Sequence, residues 1–235
     1  MTSEPVFRGG GIVAPLILKT SAQARVMRLR VDTRTGQVIL TLPRRASRKR
    51  ALNWAESKRS WIEAALGKVQ PCLPLQPGAV IPFKGLPHRI DWREDGPRTV
   101  RVRAGVVEVG GPEQMVEPRL LRWLKKEARA LLEDETQEYA RKAGVTVTRV
   151  GIGDQRSRWG SCSSSGAIRY SWRLILAPDH VRRATVAHEV AHRVHMNHGP
   201  DFHALVATLF GADPQPASDW LRRHGAALHR IGAAA

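Results

Sequence analysis

The stretch that decides the fold runs from residue 185 to residue 200 and reads TVAHEVAHRVHMNHGP. It contains His188, Glu189 and His192 in an H-E-x-x-H pattern. Residues four apart in an α-helix lie one above the other, so both imidazoles project to one side and can bind one ion at about 2.0 to 2.1 Å. Glu189 follows about 100° further around the helix, where its carboxylate can exchange protons beside the ion. The spacing therefore predicts a metal site on a helix.

The apolar residues around this pattern predict which way the helix faces. They form a stripe opposite the histidines, made of Val186, Val190 and Val194 with Ala187 and Ala191. Such a helix buries the apolar side and turns the histidines towards a cleft. Asp179, after Pro178, is a candidate cap for its start. We expect it to end just after His195, because Asn197 tolerates the left-handed conformation and Gly199-Pro200 prevents continuation.

A third ligand is expected beyond the end of the helix. If the chain reverses at Gly199-Pro200, His198 can reach the ion, whereas His195 lies about 10 Å beyond His188 along an unbroken helix. His203, on the next apolar segment (202–210), is the main competitor. No Glu follows Glu189; the downstream acids are Asp201, Asp213 and Asp219. A three-histidine site binding one Zn²⁺ per chain, with one open position, is the resulting prediction.

The amino-acid composition indicates which class of partner the surface would attract. The 235 residues are ordinary in hydrophobic share (42%) and charged share (25%), but the net charge is +17. The charge excess favours polyanions such as nucleic acid, although a merely soluble surface gives the same excess. The clearest basic run is Arg44, Arg45, Arg48, Lys49 and Arg50.

Cysteine use and hydropathy bear on the compartment. Cys72 and Cys162 are too few for a disulfide framework and fit a reducing cytoplasm, which is the expected location. The apolar run 11–18 is broken by Pro15, so it is typical of a strand rather than a signal peptide. No stretch approaches the ~20 apolar residues of a membrane span, and no membrane partner is expected.

The order of predicted elements indicates an α+β chain. Residues 25–32 and 37–42 alternate as a β-hairpin around the turn 33–36, and Ser47 can cap one helix reaching about Leu66. Further strands are expected at 88–93, 99–109, 145–153 and 167–176, with a long helix from Pro112 to Ala143 stopped by Gly144. We place a boundary at the change of character there, giving a β-rich domain (1–111) with one helix and a second domain (112–235).

Several motifs in fixed order carry a resemblance to a known family. They are RWGSC (158–162), the predicted strand 167–176, the HEVAH helix and NHGPDF (197–202). Together they resemble the YgjP-like and SprT-like zinc metallopeptidases. The resemblance implies a minimal zincin fold with a small sheet and an HExxH active-site helix. It also implies that His188, His192 and His198 are the ligands, with Glu189 as general base.

The resemblance also suggests where a peptide or protein substrate binds. In zincins the substrate commonly lies extended along an edge strand, and the segment Trp159, Gly160 and Ser161 or the strand after it is our candidate; core packing explains these residues equally well. Possible donors to the developing oxyanion are Tyr170, Arg158 and His195, and the sequence does not choose among them.

Peptide-bond hydrolysis through a metal-activated water is accordingly the expected function. One competing hypothesis is a nucleic-acid-associated protein with a structural zinc site, for which a fourth ligand such as His203 or Cys162 would argue. The other is a metal-dependent amidohydrolase acting on small substrates.

Overall fold

The computed structural model describes residues 6–32, 36–69, 72–155 and 157–232. The chain divides into two compact units, Met1–Leu73 with Ala233–Ala235, and Pro74–Gly232. The α+β class is confirmed, with strands leading and helices with a small sheet following. Within the described ranges no helix combines the length and the apolar character needed to cross a bilayer.

The first unit packs two helices on a four-stranded sheet. Its strands are β1 (Val6–Gly9), β2 (Ile12–Ser21), β3 (Arg28–Val31) and β4 (Val38–Pro43), in the order β1-β2-β4-β3. Its helices are α1 (Arg48–Ser57) and α2 (Arg59–Gly67). Alternate β4 residues such as Val38 and Leu40 bury one face against Ala55 and Ile62 of the helices, so binary patterning explains this core.

Two sequence predictions for this unit hold and one needs correction. β3 and β4 pair antiparallel as the predicted hairpin, whose turn residues 33–35 lie outside the described residues. Ser47 caps α1, its Oγ accepting from the Arg50 N–H at 3.4 Å. The single helix is in fact two, because the backbone at Lys58 leaves helical geometry (φ −103°, ψ 16°) between α1 and α2.

In the described part of the second unit the chain forms two sheets and four α-helices. The first sheet has the order β5-β6-β8-β7, from β5 (Val80–Phe83), β6 (Leu86–Arg93), β7 (Arg101–Arg103) and β8 (Val106–Gly110). The second has the order β10-β11-β9, from β9 (Arg149–Gly153), β10 (Gly160–Cys162) and β11 (Ala167–Ser171). The helices are α3 (Val116–Ala143), α4 (Asp179–Ala191), α5 (Pro200–Phe210) and α6 (Gln215–Arg230).

The boundary between units lies elsewhere than between residues 111 and 112. Ile81, Ile90 and Val107 of the first sheet are buried in the same core as Leu120 and Leu124 of α3. Strands β5–β8 thus belong with the helical part, and the division falls between Leu73 and Pro74. The change at Pro112 marks a switch from strand to helix inside one hydrophobic core.

Two further boundaries differ from the sequence prediction. The expected strand 167–176 stops at Ser171 and continues as a 3₁₀ turn over Trp172–Leu176, whose five side chains are all buried. Such a run has no alternation to tell strand from turn. Helix α4 ends at Ala191 with His192 as its C-cap, earlier than the predicted end just after His195. Gly144, by contrast, ends α3 in the left-handed conformation (φ 64°) as predicted.

Candidate metal centre

Three histidines converge at the end of α4. His188 lies in its last turn, His192 caps it, and His198 comes from the loop before α5. The Nε2 atoms of His188 and His198 are 3.3 Å apart, and the ring centroids of His192 and His198 are 4.7 Å apart. One ligand atom from each residue lies within 4.8 Å of the others. The structure therefore brings together the three residues that the sequence singled out.

The three imidazoles and the spacing of their nitrogens suit a cation with tetrahedral coordination. Ligand nitrogens at about 2.05 Å from a tetrahedral ion stand about 3.3 Å from each other, the separation of the His188 and His198 nitrogens. Imidazoles bind metals in their neutral form. Burial, followed by repulsion from the neighbouring histidines, lowers the pKa of His188 to about 4, so its ring stays neutral in mild acid.

Two contacts fix the orientation of the rings. The Nδ1–H of His192 donates to the His195 carbonyl at 3.0 Å, which leaves Nε2 as the atom free to bind a metal. The fully buried ring of Phe202 stacks on His192 at 4.5 Å and meets His188 edge-on at 4.9 Å. His195 thus contributes to the site through its backbone carbonyl. That hydrogen bond requires the helix to end before His195.

Glu189 lies beside the histidines against the small sheet. Its side chain is buried, and burial raises its pKa to about 7, an effect that the positive charge of Arg158 opposes. A Cβ atom added to Gly160 would lie 2.6 Å from Glu189 Cδ, far inside contact distance. Gly160 belongs to β10, an outer strand of the sheet β10-β11-β9. The carboxylate therefore packs directly on the backbone of an edge strand.

A pocket of about 390 Å³ opens on this carboxylate. Arg158, Trp159 and Gly160 form one side of it, next to His188 and Glu189. The rest of the lining includes residues of α5 and α6 and the Pro214 that precedes α6: His203, Val206, Pro214, Gln215, Ala217, Ser218 and Leu221. The part of the lining that α6 supplies was not predicted from the sequence, because its residues form no motif of titratable side chains.

The predicted substrate-binding residues divide into two groups. Trp159 and Gly160 line the pocket, and Ser161 follows them in β10, half-buried. Tyr170 is fully buried, and its hydroxyl shares a hydrogen bond with Thr136 Oγ1 at 3.0 Å. The structure thus corrects the expectation that Tyr170 reaches the substrate: its ring belongs to the core, where burial raises its pKa. The His195 side chain also lies outside the pocket lining.

The alternative ligands stay apart from the three histidines. The ring of His203 lies 6.4 Å from that of His198 and lines the pocket instead. Across the described residues, the group that could hold an ion contains His188, His192 and His198, and neither His203 nor Cys162 joins it. In the part of the chain that the structure describes, no fourth side chain thus joins His188, His192 and His198.

Two buried arginines hold the site's walls in place. Arg182 in α4 binds both carboxylate oxygens of Glu135 in α3, with distances of 2.9 to 3.1 Å. Arg173 donates to the Leu228 and Ile231 carbonyls at 3.0 and 3.1 Å and also binds Asp154. The Arg182–Glu135 pair anchors α4, which carries His188 and Glu189. The bonds of Arg173 to the two carbonyls anchor the end of α6. Neither contact was predicted from the sequence, because Glu135 lies 47 residues from Arg182, and Leu228 and Ile231 lie 55 and 58 residues from Arg173.

Stacking completes the wall between α6 and the edge-strand segment. The Trp159 ring stacks on His229 at 4.7 Å. At Gly225 of α6, an added Cβ would meet Trp159 Cζ2 at 2.8 Å, so a glycine is needed for the indole to approach the helix. The indole of Trp159 therefore packs against α6 and His229, and Trp159 also lines the pocket.

Comparison with known proteins agrees with this geometry. The family model described as the YgjP-like metallopeptidase domain matches residues 25–224, a range that spans both units and holds every residue of the candidate centre. No curated protein and no solved structure matches the chain. The family implies a metal ion and a hydrolase, and the three histidines offer suitable donors. The chain belongs to the YgjP-like metallopeptidase domain family.

Proposed function

We propose that the protein hydrolyses peptide bonds with one Zn²⁺ held by His188, His192 and His198 and with Glu189 as general base. The observation that carries the proposal is the convergence of three imidazole nitrogens, with His188 and the buried carboxylate of Glu189 both lining a pocket beside an edge strand. Three ligands leave one position for water or substrate, which is the arrangement of catalytic rather than structural zinc sites.

The choice of zinc rests on the donor chemistry. Imidazole suits Zn²⁺, Cu²⁺, Fe²⁺ and Ni²⁺, whereas oxygen donors suit Mg²⁺ and Ca²⁺. The nitrogen spacing of 3.3 Å fits tetrahedral geometry, which Zn²⁺ favours. Hydrolysis also needs no change of redox state, and zinc has none.

The chain's own residues supply the proton transfers and the positioning. When bound, zinc acidifies water and polarises the scissile carbonyl. Glu189 accepts the proton of the attacking water and passes it to the leaving amine, and its burial keeps the carboxylate basic enough for both steps. The hydrogen bond from His192 to the His195 carbonyl keeps that ligand's tautomer and direction constant during the reaction.

The edge strand and Arg158 complete the proposed site. β10 pairs with β11 on one side, so its other edge can hydrogen-bond to an extended peptide that passes Glu189. Of the three candidate donors to the developing oxyanion, Arg158 is the one whose side chain lines the pocket. We assign that role to Arg158, because Tyr170 is bonded in the core and His195 acts through its carbonyl.

The test measures metal content and peptide cleavage in matched variants. Elemental analysis of protein purified without added metal is expected to give about one zinc per chain in the wild type and a large loss in His198→Ala. Glu189→Gln is expected to keep zinc and lose nearly all cleavage of a quenched-fluorescent peptide mixture. His203→Ala, a control on an exposed neighbouring ring, should keep its zinc. Full turnover in Glu189→Gln would remove Glu189 from the mechanism.

A further inference from the structure

A second concave site lies in the first unit, far in sequence from the histidines. It is a groove of about 560 Å³, which we call the arginine groove, and it lies where the segment before β3 meets the end of β4 and the start of α1. The residues that matter here are Arg25, Val26, Met27, Arg45, Arg50 and Trp54. Arg50 and Trp54 stand four residues apart in α1, so they project from the same face of the helix.

The arginine groove is positively charged, and the side chains that line it do not balance that charge. Arg25, Arg45 and Arg50 are all exposed, and none of the described residues that line the groove is acidic. Within the described part of the chain, none of the three forms an ion pair. The first unit holds fourteen Arg and Lys against four Asp and Glu. Two of those acids, Glu56 and Glu63, pair with Arg59 instead.

The groove is also apolar along part of its lining. Val26 is 60% exposed, and Met27 and Trp54 beside it are half-buried, so the three form an apolar part of the lining. A purely electrostatic surface needs none of these side chains. A ligand that matches the groove must therefore carry both negative charge and flat or apolar faces.

We propose that the arginine groove binds single-stranded nucleic acid, with phosphates on Arg25, Arg45 and Arg50 and a base against Trp54. Single strands combine a phosphate backbone with unpaired bases whose faces stack on aromatic side chains. Duplex nucleic acid keeps its bases paired and stacked, so it would leave Trp54 and Val26 unused. An acidic peptide matches the charge but offers no planar faces. The proposal is independent of the peptidase activity.

Charge at the groove is tested by two matched double variants. Fluorescence anisotropy with a fluorescein-labelled 12-residue oligothymidylate measures binding to the full chain between 50 and 200 mM salt. We expect Arg45→Ala/Arg50→Ala to bind at least about 10-fold more weakly, with the salt slope reduced by about 1.4 for two lost phosphate contacts. The control Arg101→Ala/Arg103→Ala removes the same charge from exposed positions on β7 and should change the affinity less than 2-fold. Equal weakening in both pairs overturns the proposal.

The apolar lining is tested separately. Trp54→Leu is expected to weaken binding roughly 5-fold or more and Trp54→Phe less, because only the second keeps a ring for stacking. Trp54 packs against the core of its unit, so Val26→Asp gives a second reading at an exposed position, with Val13→Asp (62% exposed, on β2) as its control. Val26→Asp should weaken binding at least about 10-fold more than Val13→Asp. Unchanged affinity in Trp54→Leu overturns the role of the lining, and unchanged affinity in Val26→Asp, which places a negative charge beside the phosphates, overturns binding at this groove.

Competition identifies the class of ligand. An unlabelled single strand should displace the probe at concentrations at least about 10-fold lower than a 12-base-pair duplex or a poly-glutamate peptide of twelve residues, because only the single strand offers both phosphates and free bases. Equal displacement by the duplex or by the peptide contradicts the proposed specificity. Failure of the wild type to bind the probe at 50 mM salt contradicts binding altogether.

Discussion

Replacing Gly160 by alanine adds one methyl group beside the proposed general base. The three heavy atoms nearest to the new Cβ all belong to Glu189, and the distance to Cδ would be 2.6 Å. Carbon atoms normally rest about 3.5 to 4.0 Å apart, so the carboxylate must move by about 1 Å. A glutamate side chain is flexible and can make that move, so we expect the fold to tolerate the variant.

The expected loss is in turnover rather than in folding. Displacing a catalytic group by about 1 Å can cost about 100-fold in rate. That factor corresponds to about 2.7 kcal/mol of activation free energy. The metal content should stay near that of the wild type, because the closest contacts of the methyl group are with Glu189 and not with a histidine.

A matched variant in the same sheet separates this effect from a general effect of alanine in a strand. Gly151→Ala in β9 places its Cβ 3.7 Å from Arg169 Cγ, an ordinary contact, and should keep full activity. Cleavage of a quenched-fluorescent peptide mixture, zinc content and thermal unfolding are measured for both variants. Gly160→Ala with wild-type kcat/KM would refute the argument that β10 fixes the position of Glu189.

Three further predictions concern stability. Glu135→Ala leaves the Arg182 guanidinium, 2% exposed, without its bidentate partner, so urea unfolding should show a loss of about 3 to 5 kcal/mol of stability. A loss under about 1 kcal/mol would contradict the anchoring of α4 by this pair. Hydrogen bonds from Arg183 lower the pKa of Glu138 to about 2, so the stability they add is present above about pH 4.5 and is lost as the pH falls from there towards 2. Because about a third of each side chain is exposed, Glu138→Gln should cost less than about 1 kcal/mol at pH 7, and the difference from wild type should vanish near pH 2. Dialysis against a chelator should lower the Tm of the wild type but not that of His188→Ala, since a metal bound by the folded chain stabilises it; equal shifts in both proteins would contradict metal binding at this centre.

The sequence predicted the parts of the site that depend on local geometry. The spacing of His188 and His192 and the helix breakers before α5 act within a few residues, so the meeting of His188, His192 and His198 could be anticipated. The resemblance to the YgjP-like and SprT-like peptidases also placed Trp159 and Gly160 near the site. Local patterns were likewise sufficient for the Ser47 cap and the stop at Gly144.

The parts that were missed depend on contacts distant in sequence. The pairing of Arg182 with Glu135 joins residues 47 apart, and a glycine at 160 has meaning only once Glu189 is beside it. The side chain of Tyr170 was expected at the substrate, but alternation in a strand does not tell which face becomes the core. The unit boundary was misplaced because a change from strand to helix at Pro112 resembles a change of domain.

The anchoring of α6 by Arg173 has a consequence for protein synthesis. The chain leaves the ribosome from its N-terminus, so His188, His192 and His198 emerge before the Leu228 and Ile231 carbonyls that Arg173 binds. At 5 to 20 residues per second, roughly 33 residues of delay correspond to about 2 to 7 seconds. During that interval Arg173 lacks the two carbonyls that anchor the end of α6, so the α6 part of the pocket lining is completed only after all three histidines have been synthesised.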